Sequence, residues 1–124
     1  MTVIRAAEGT EYEVHGATFT AYANSGTGSA ELCAWNLRIP AGLPGVAHRI
    51  SKEELFLVKC GTPRISVDGA AADLAAGDVV VAPAGCLLQV ENPGSQDSNI
   101  WVTTGSGLSA TLPDGSELTP LWAR

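Results

Sequence analysis

In the segment GLPGVAHRISKEELFLVKCG, Gly42 to Gly61, an imidazole at His48 is followed six residues later by a carboxylate at Glu54, with Ile50 between them. Two chemistries use that pair of residue types. Imidazole and carboxylate are ligands for Zn²⁺ and other first-row metals, whose catalytic sites need three or four N, O or S donors around an open position. The same two groups transfer protons as general acid and general base when burial or a neighbour tunes them toward the working pH. The other histidine, His15 in the turn-like EVHGA, reads as a surface residue. Cys33, Cys60 and Cys86 are widely spaced and form no CxxC, which is the usage of buried thiols in a reducing compartment rather than of a disulfide frame.

The elements that must position these groups are read from composition and punctuation. A chain of 124 residues is the length of one domain, here 1–124. A hydrophobic fraction of 45% against 16% charged residues describes a folded globular chain with a sizeable core. A net charge of −6 with only seven Lys and Arg, none of them clustered, argues against a nucleic-acid partner and against an anionic membrane surface. MTVIRAAEGTEYEVHG has no basic stretch followed by an apolar one, so a cytoplasmic location is expected. Gly and Pro recur every 8–12 residues or so, the rhythm of short strands and turns. The expected strands are 17–24, 31–39, 53–60, 63–69, 78–83, 87–92, 99–105 and a last one near SATL, with a hairpin through Asp68-Gly69. The fold class is therefore all-β, a sandwich or barrel.

Two stretches sharpen that expectation. Gly42, His48, Glu54 and Gly61 fall in the spacing of the first motif of the cupins, and GDVVVAPAGCLLQVEN places Gly77, Pro83, Gly85 and Asn92 in the register of the second. The chain thus resembles the cupins, small double-stranded β-helix (jelly-roll) barrels. It is most similar to small single-domain bacterial members, of an actinobacterial type, that carry the like of HRISKEE and end as LPDGSELTPLW does. In metal-binding cupins the resemblance assigns four ligand positions, which here read His48, Ile50, Glu54 and Leu88. Ile and Leu have no lone pair to give, so no metal and no other cofactor is expected.

Strand parity then describes what would surround the pair. If Glu54 points into the barrel, so do Phe56, Val58 and Cys60, with Leu55, Leu57 and Lys59 opposite. Leu88 enters from the second motif together with Cys86 and Val90. Ile50, Phe56, Val58, Cys86 and Leu88, with the polar Asn36 and Arg38 of the strand 31–39, are the expected ligand-binding residues, and His48 and Glu54 the expected catalytic ones. Trp122 is expected to cap an open end of the barrel. Two readings of His48 and Glu54 stand level: a working acid–base pair, or an inherited buried ion pair kept because removing one partner would strand the other. The corresponding functions are a metal-independent isomerase, cyclase or lyase acting on a small molecule, and a non-catalytic module that holds a small ligand; a metal-dependent dioxygenase ranks third. The family resemblance also implies a homodimer built through N-terminal strands, for which ATFTAYAN is suited.

Overall fold

Two-residue turns and left-handed glycines divide the chain into twelve short strands. A computed structural model describes all residues, Met1–Arg124. In chain order the strands are β1 Thr10–Val14, β2 Ala17–Ala23, β3 Leu32–Ile39, β4 His48–Ile50, β5 Glu54–Cys60, β6 Arg64–Val67, β7 Ala70–Asp73, β8 Val79–Ala82, β9 Leu87–Glu91, β10 Ser98–Gly105, β11 Ala110–Thr111 and β12 Glu117–Leu118. Three single 3₁₀ turns, at Ala6–Glu8, Ser25–Thr27 and Leu121–Ala123, are the only helical pieces. No helix is long and apolar enough to cross a membrane.

The β6–β7 hairpin turns at Asp68 and Gly69 with φ of 50° and 84°, so Val67 faces Ala70 across a two-residue loop. That is the backbone an Asp-Gly pair favours, because both central residues of such a turn need positive φ. His15 and Gly16 make the same turn between β1 and β2, with φ of 51° and 83°. β1, β4 and β12 lie outside the expected strands. In β1 the alternation Glu11, Tyr12, Glu13, Val14 was available, but His-Gly is a weaker turn signal than Asp-Gly.

All pairings are antiparallel and form two six-stranded sheets, ordered β1-β2-β3-β10-β5-β8 and β12-β11-β4-β9-β6-β7. Their facing sides supply a single cluster of buried apolar residues that includes Trp35, Leu37, Ile39, Phe56, Val58, Leu88, Ile100 and Val102. Antiparallel strands with one wet face should alternate, and β5 does so, with Glu54, Phe56 and Val58 buried and Leu55, Leu57 and Lys59 exposed.

The alternation stops at Cys60, which is exposed rather than inward as parity implies. A bulge is the reason. Asn99 of β10 pairs with Cys60 while Ile100 pairs with Val58, so Lys59 is an extra residue and Cys60 turns outward, where its sulfur accepts from Asn99 Nδ2 at 3.3 Å. In β8 the inward residues are Val80 and Ala82; Val79 and Val81 face out. The segment ATFTAYAN is not a free N-terminal arm, since β2 lies between β1 and β3 of its own chain.

Candidate active site

Glu54 opens β5 flanked by Thr104 of β10 on one side and Ala82 of β8 on the other, which sends its side chain inward beside Phe56. Only 4% of the residue is exposed. His48 begins β4 in the facing sheet, opposite Leu88 of β9. His48, Glu54, Phe56 and Leu88 all line one cavity of about 120 Å³. Trp35, Leu37 and Ile39 of β3 supply another part of its wall, and Phe19 and Trp122 a third. Sixteen of the 21 lining residues are hydrophobic, and none is Lys or Arg.

The loop that leads into His48 is held close to the barrel by two devices. Gly45, with φ of 70°, passes so near the Val90 carbonyl that a Cβ would run into it. The buried Asn92 donates from Nδ2 to the carbonyls of Ile39 at 2.9 Å and Gln96 at 2.7 Å, and accepts from Gly94 N at 3.1 Å. Its backbone adds bonds to Gly42 and Leu43, both 2.8 Å. The side chain is thus fully spent on positioning the loop.

Glu54 has no such partners. The ion pairs of the structure are Arg38–Asp97, Arg64–Asp73 and Arg64–Glu91, and none reaches Glu54. Burial alone pushes its carboxyl up from 4.5 to about 8, because the charged form would lose hydration without compensation. Near neutral pH Glu54 is therefore mostly a carboxylic acid, able to donate. The inherited ion pair is not what the structure holds: His48 and Glu54 reach the cavity from opposite sheets without an ionic contact. His48 Nδ1 lies 2.9 Å from the Val46 carbonyl. A carbonyl only accepts, so Nδ1 carries a proton, and in the neutral ring Nε2 is the nitrogen with the lone pair. The cavity thus holds one unpaired acid and, at His48 Nε2, one imidazole nitrogen without a hydrogen-bond partner.

The remaining expected residues are not in the cavity lining. Ile50, Val58 and Cys86 are buried in the core behind it, exposed by 2%, 1% and 3%. Ile50 N donates to the Cys86 carbonyl at 3.2 Å, which ties the two together. Burial first, then the charges of Asp68 and Glu54, push the Cys86 thiol up, so it is a poor nucleophile. Asn36 and Arg38 lie on the outer face of β3 and cannot touch a ligand in the barrel. Asn36 instead bonds Asn99 at 3.0 Å and accepts from Lys59 at 3.3 Å, while Arg38 pairs with Asp97 at 3.1 Å and reaches Thr18 at 3.4 Å. Alternation separates two faces of a strand, and the inward one is the face bearing Cys33, Trp35, Leu37 and Ile39.

Most of the lining was outside the expected set, and three of those residues bear on its chemistry or its edge. His15 is exposed, as expected, but the β1–β2 turn brings it to the cavity rim. Trp35 lines the wall with its indole N–H buried and without an acceptor. Trp122 stacks on Phe19 at 4.2 Å, lies 5.7 Å from Tyr12 and forms part of the cavity wall.

The residues 36–104 match the family model described as "Cupin domain", which covers both motifs and the strands between them. The chain belongs to the cupin family. Among solved structures the cupin is similar to an RmlC-like cupin from Shewanella frigidimarina, at 19% identity over 82% of this chain and 86% of that one, with a TM-score of 0.71. It is similar to the polyketide cyclase RemF from Streptomyces resistomycificus at 12% identity, covering 85% and 79% of the two chains with a TM-score of 0.75. A proposed sugar phosphate isomerase from Acidithiobacillus ferrooxidans gives 18% identity, 94% and 89% coverage and a TM-score of 0.69. At such identities the likeness is one of fold. No curated protein matches the sequence.

The family raises the question of a metal, and the donors here do not fit one. At the four ligand positions Ile50 and Leu88 are apolar, and no group of three or more His, Cys, Asp or Glu side chains in the cupin is arranged to hold an ion. Two donors from opposite sheets, one of them a protonated carboxyl, fall short of the three that a first-row metal site requires.

Proposed function

We propose that this cupin is a metal-independent enzyme that moves protons within a small neutral substrate, of isomerase, cyclase or lyase type, with Glu54 as acid and His48 as base. The observation that carries the reading is a carboxylic acid with no internal partner, in an apolar chamber that also presents a free imidazole nitrogen. A group kept protonated at neutral pH is suited to donate to a carbonyl oxygen on which charge develops. The absence of Lys and Arg from the lining disfavours phosphate and carboxylate substrates, which would enter without a counter-charge. A cavity of about 120 Å³ has room for about one six-membered ring. The substrate class is accordingly a single-ring carbonyl compound with an acidic C–H beside the carbonyl. The Trp35 N–H is a further donor in the wall.

The proton balance closes without a co-reactant. His48 Nε2 takes a proton from the carbon next to the carbonyl as Glu54 gives one to the oxygen, forming an enol. The enol then returns its O–H proton to Glu54 while the imidazolium protonates the far carbon. One double bond moves and both residues regain their starting state. General acid–base groups of this kind contribute ~10²–10⁴-fold each. Fold likeness to a polyketide cyclase is compatible with the same groups assisting ring closure, as analogy only.

The test is the conversion of 3-cyclohexenone to its conjugated isomer, followed by ultraviolet absorbance across pH with and without a chelator. Turnover is expected to fall above about pH 8, as Glu54 loses its proton, to fall in acid once the imidazole is protonated and no longer a base, and to be unaffected by chelation. Saturable binding without turnover would support instead the second reading, a module that stores or senses a small apolar ligand. Activity that disappears on chelation would contradict the metal-free mechanism.

A further inference from the structure

Trp35 carries a polar atom that the protein does not satisfy. It stands in β3, 2% exposed, between Ala21 of β2 and Val102 of β10. Its inward side chain forms part of the cavity wall, and its indole N–H, fully buried, has no acceptor on the protein. The sheet explains why. Backbone carbonyls in a ladder point toward the neighbouring strands, so an inward face offers a donor only the acceptors that other side chains bring, and Ala21 and Val102 bring none. A buried N–H without a partner costs the folded state free energy, and a phenylalanine would fill the wall without that cost. The other buried side-chain atom in this condition, Ser98 Oγ, lies outside the cavity lining.

Glu54 is the second donor of the cavity without a partner, and strand register fixes its place relative to Trp35. Val102 of β10 pairs with Trp35 on one side and with Phe56 on the other, and Glu54 is the next inward residue along β5, opposite Thr104. The two donors therefore rise from one sheet, two strands apart and one inward step along. At ordinary strand spacing and rise their backbones are on the order of 12 Å apart. One oxygen lies within hydrogen-bond distance of both only if the two side chains lean fully together. A ring with an oxygen at each end bridges them without that.

We propose that Trp35 is a ligand-binding residue and that the cavity selects a neutral six-membered ring with two acceptor oxygens at opposite positions, one held by the Trp35 N–H and the other by Glu54. The ligand class is the cyclic 1,4-dicarbonyl. The inference rests on the cavity being the substrate site, as proposed above, and not on the proton transfer assigned to it. Selectivity follows from the unpaired donors. A ring with one oxygen leaves one of them unsatisfied and a hydrocarbon ring leaves both, and a site with buried donors rejects analogues that lack the matching acceptor.

Titration of the nitrogen-15-labelled protein with 1,4-cyclohexanedione and with cyclohexanone at pH 7, followed by NMR, tests it. Wild type is expected to bind the dione ~10-fold more tightly than the ketone, the effect of one further hydrogen bond. In Trp35→Phe the preference should shrink to about twofold, the statistical advantage of two equivalent oxygens, because no N–H remains for the second one. The indole N–H signal of Trp35 in wild type, assigned with Trp101→Phe and Trp122→Phe, should move downfield as the dione binds. The dione has no ring current, so the shift reads the hydrogen bond, and it stands as a test even where Trp35→Phe does not fold. Equal affinities for dione and ketone in wild type, a preference that survives in Trp35→Phe, or an indole signal that does not move would each overturn the inference. Tight dione binding by a cupin that isomerises nothing would sustain it and defeat the proton-transfer reading; turnover of 3-cyclohexenone with no preference for the dione would do the reverse.

Discussion

Glu54→Gln is expected to remove turnover and, above pH 8, to make the protein more stable than wild type. The amide matches the acid in shape and still donates a hydrogen bond, so a ligand should bind nearly as before. It cannot give up and recover a proton, so the loss in rate should reach the ~10²–10⁴-fold attributed to a general acid. The stability effect follows from linkage. The folded-state carboxyl is raised from 4.5 to about 8. Below pH 4.5 both folded and unfolded states hold the proton and the residue carries no penalty. Between 4.5 and about 8 the unfolded state ionises while the folded state does not, so wild-type stability declines as pH rises and levels off above about 8. The accumulated loss is on the order of a few kcal/mol. Glu54→Gln should therefore track wild type in denaturant at pH 4 and exceed it at pH 9. Equal stability at both pH values would mean that Glu54 is hydrated and ordinary.

The second large effect is expected at the C-terminus. Trp122 is 5% exposed, stacked on Phe19 and close to Tyr12, and it forms part of the cavity wall. The segment around it is tied down by Ser25 N to the Arg124 carbonyl at 2.9 Å and Gly107 N to the Ala123 carbonyl at 3.1 Å. Trp122→Ala should cost about 3–5 kcal/mol, the range for truncating a buried aromatic. Against a total stability of ~5–15 kcal/mol for a domain, that is a large share. The widened end should also relax any preference for single-ring ligands. Trp122→Phe should recover much of the stability. Chemical denaturation of the two variants decides the matter, and a cost under about 1 kcal/mol for Ala would show that the C-terminal segment does not seal the barrel in solution.

The sequence carried more of the barrel than of its lining. Glycines and prolines at loop positions, and the two spaced motifs, located most strands because turn chemistry is local: Asp68-Gly69 adopts positive φ whatever surrounds it. The inward direction of Glu54, Phe56 and Leu88 was legible for the same reason, since pleating is a property of one strand. What escaped depends on relations between strands. Cys60 turns outward because a bulge against β10 inserts Lys59, and nothing in ELFLVKC signals an extra residue. Asn36 and Arg38 alternate correctly with their neighbours, but the polar set was assigned to the ligand when the aromatic and aliphatic set faces the cavity. His15 reaches the rim through a hairpin whose His-Gly turn is uncommon. The separation of His48 from Glu54 reflects the distance between two sheets, which no spacing along the chain encodes.

The protonation state of Glu54 is the point on which the account turns, and a carbon-13 titration of the glutamate carboxyls, with Glu54→Gln to assign the signal, reads it directly. One resonance, absent in the variant, should remain that of a carboxylic acid at neutral pH and titrate near 8. A Glu54 resonance that titrates near 4.5, like an exposed glutamate, would contradict the account.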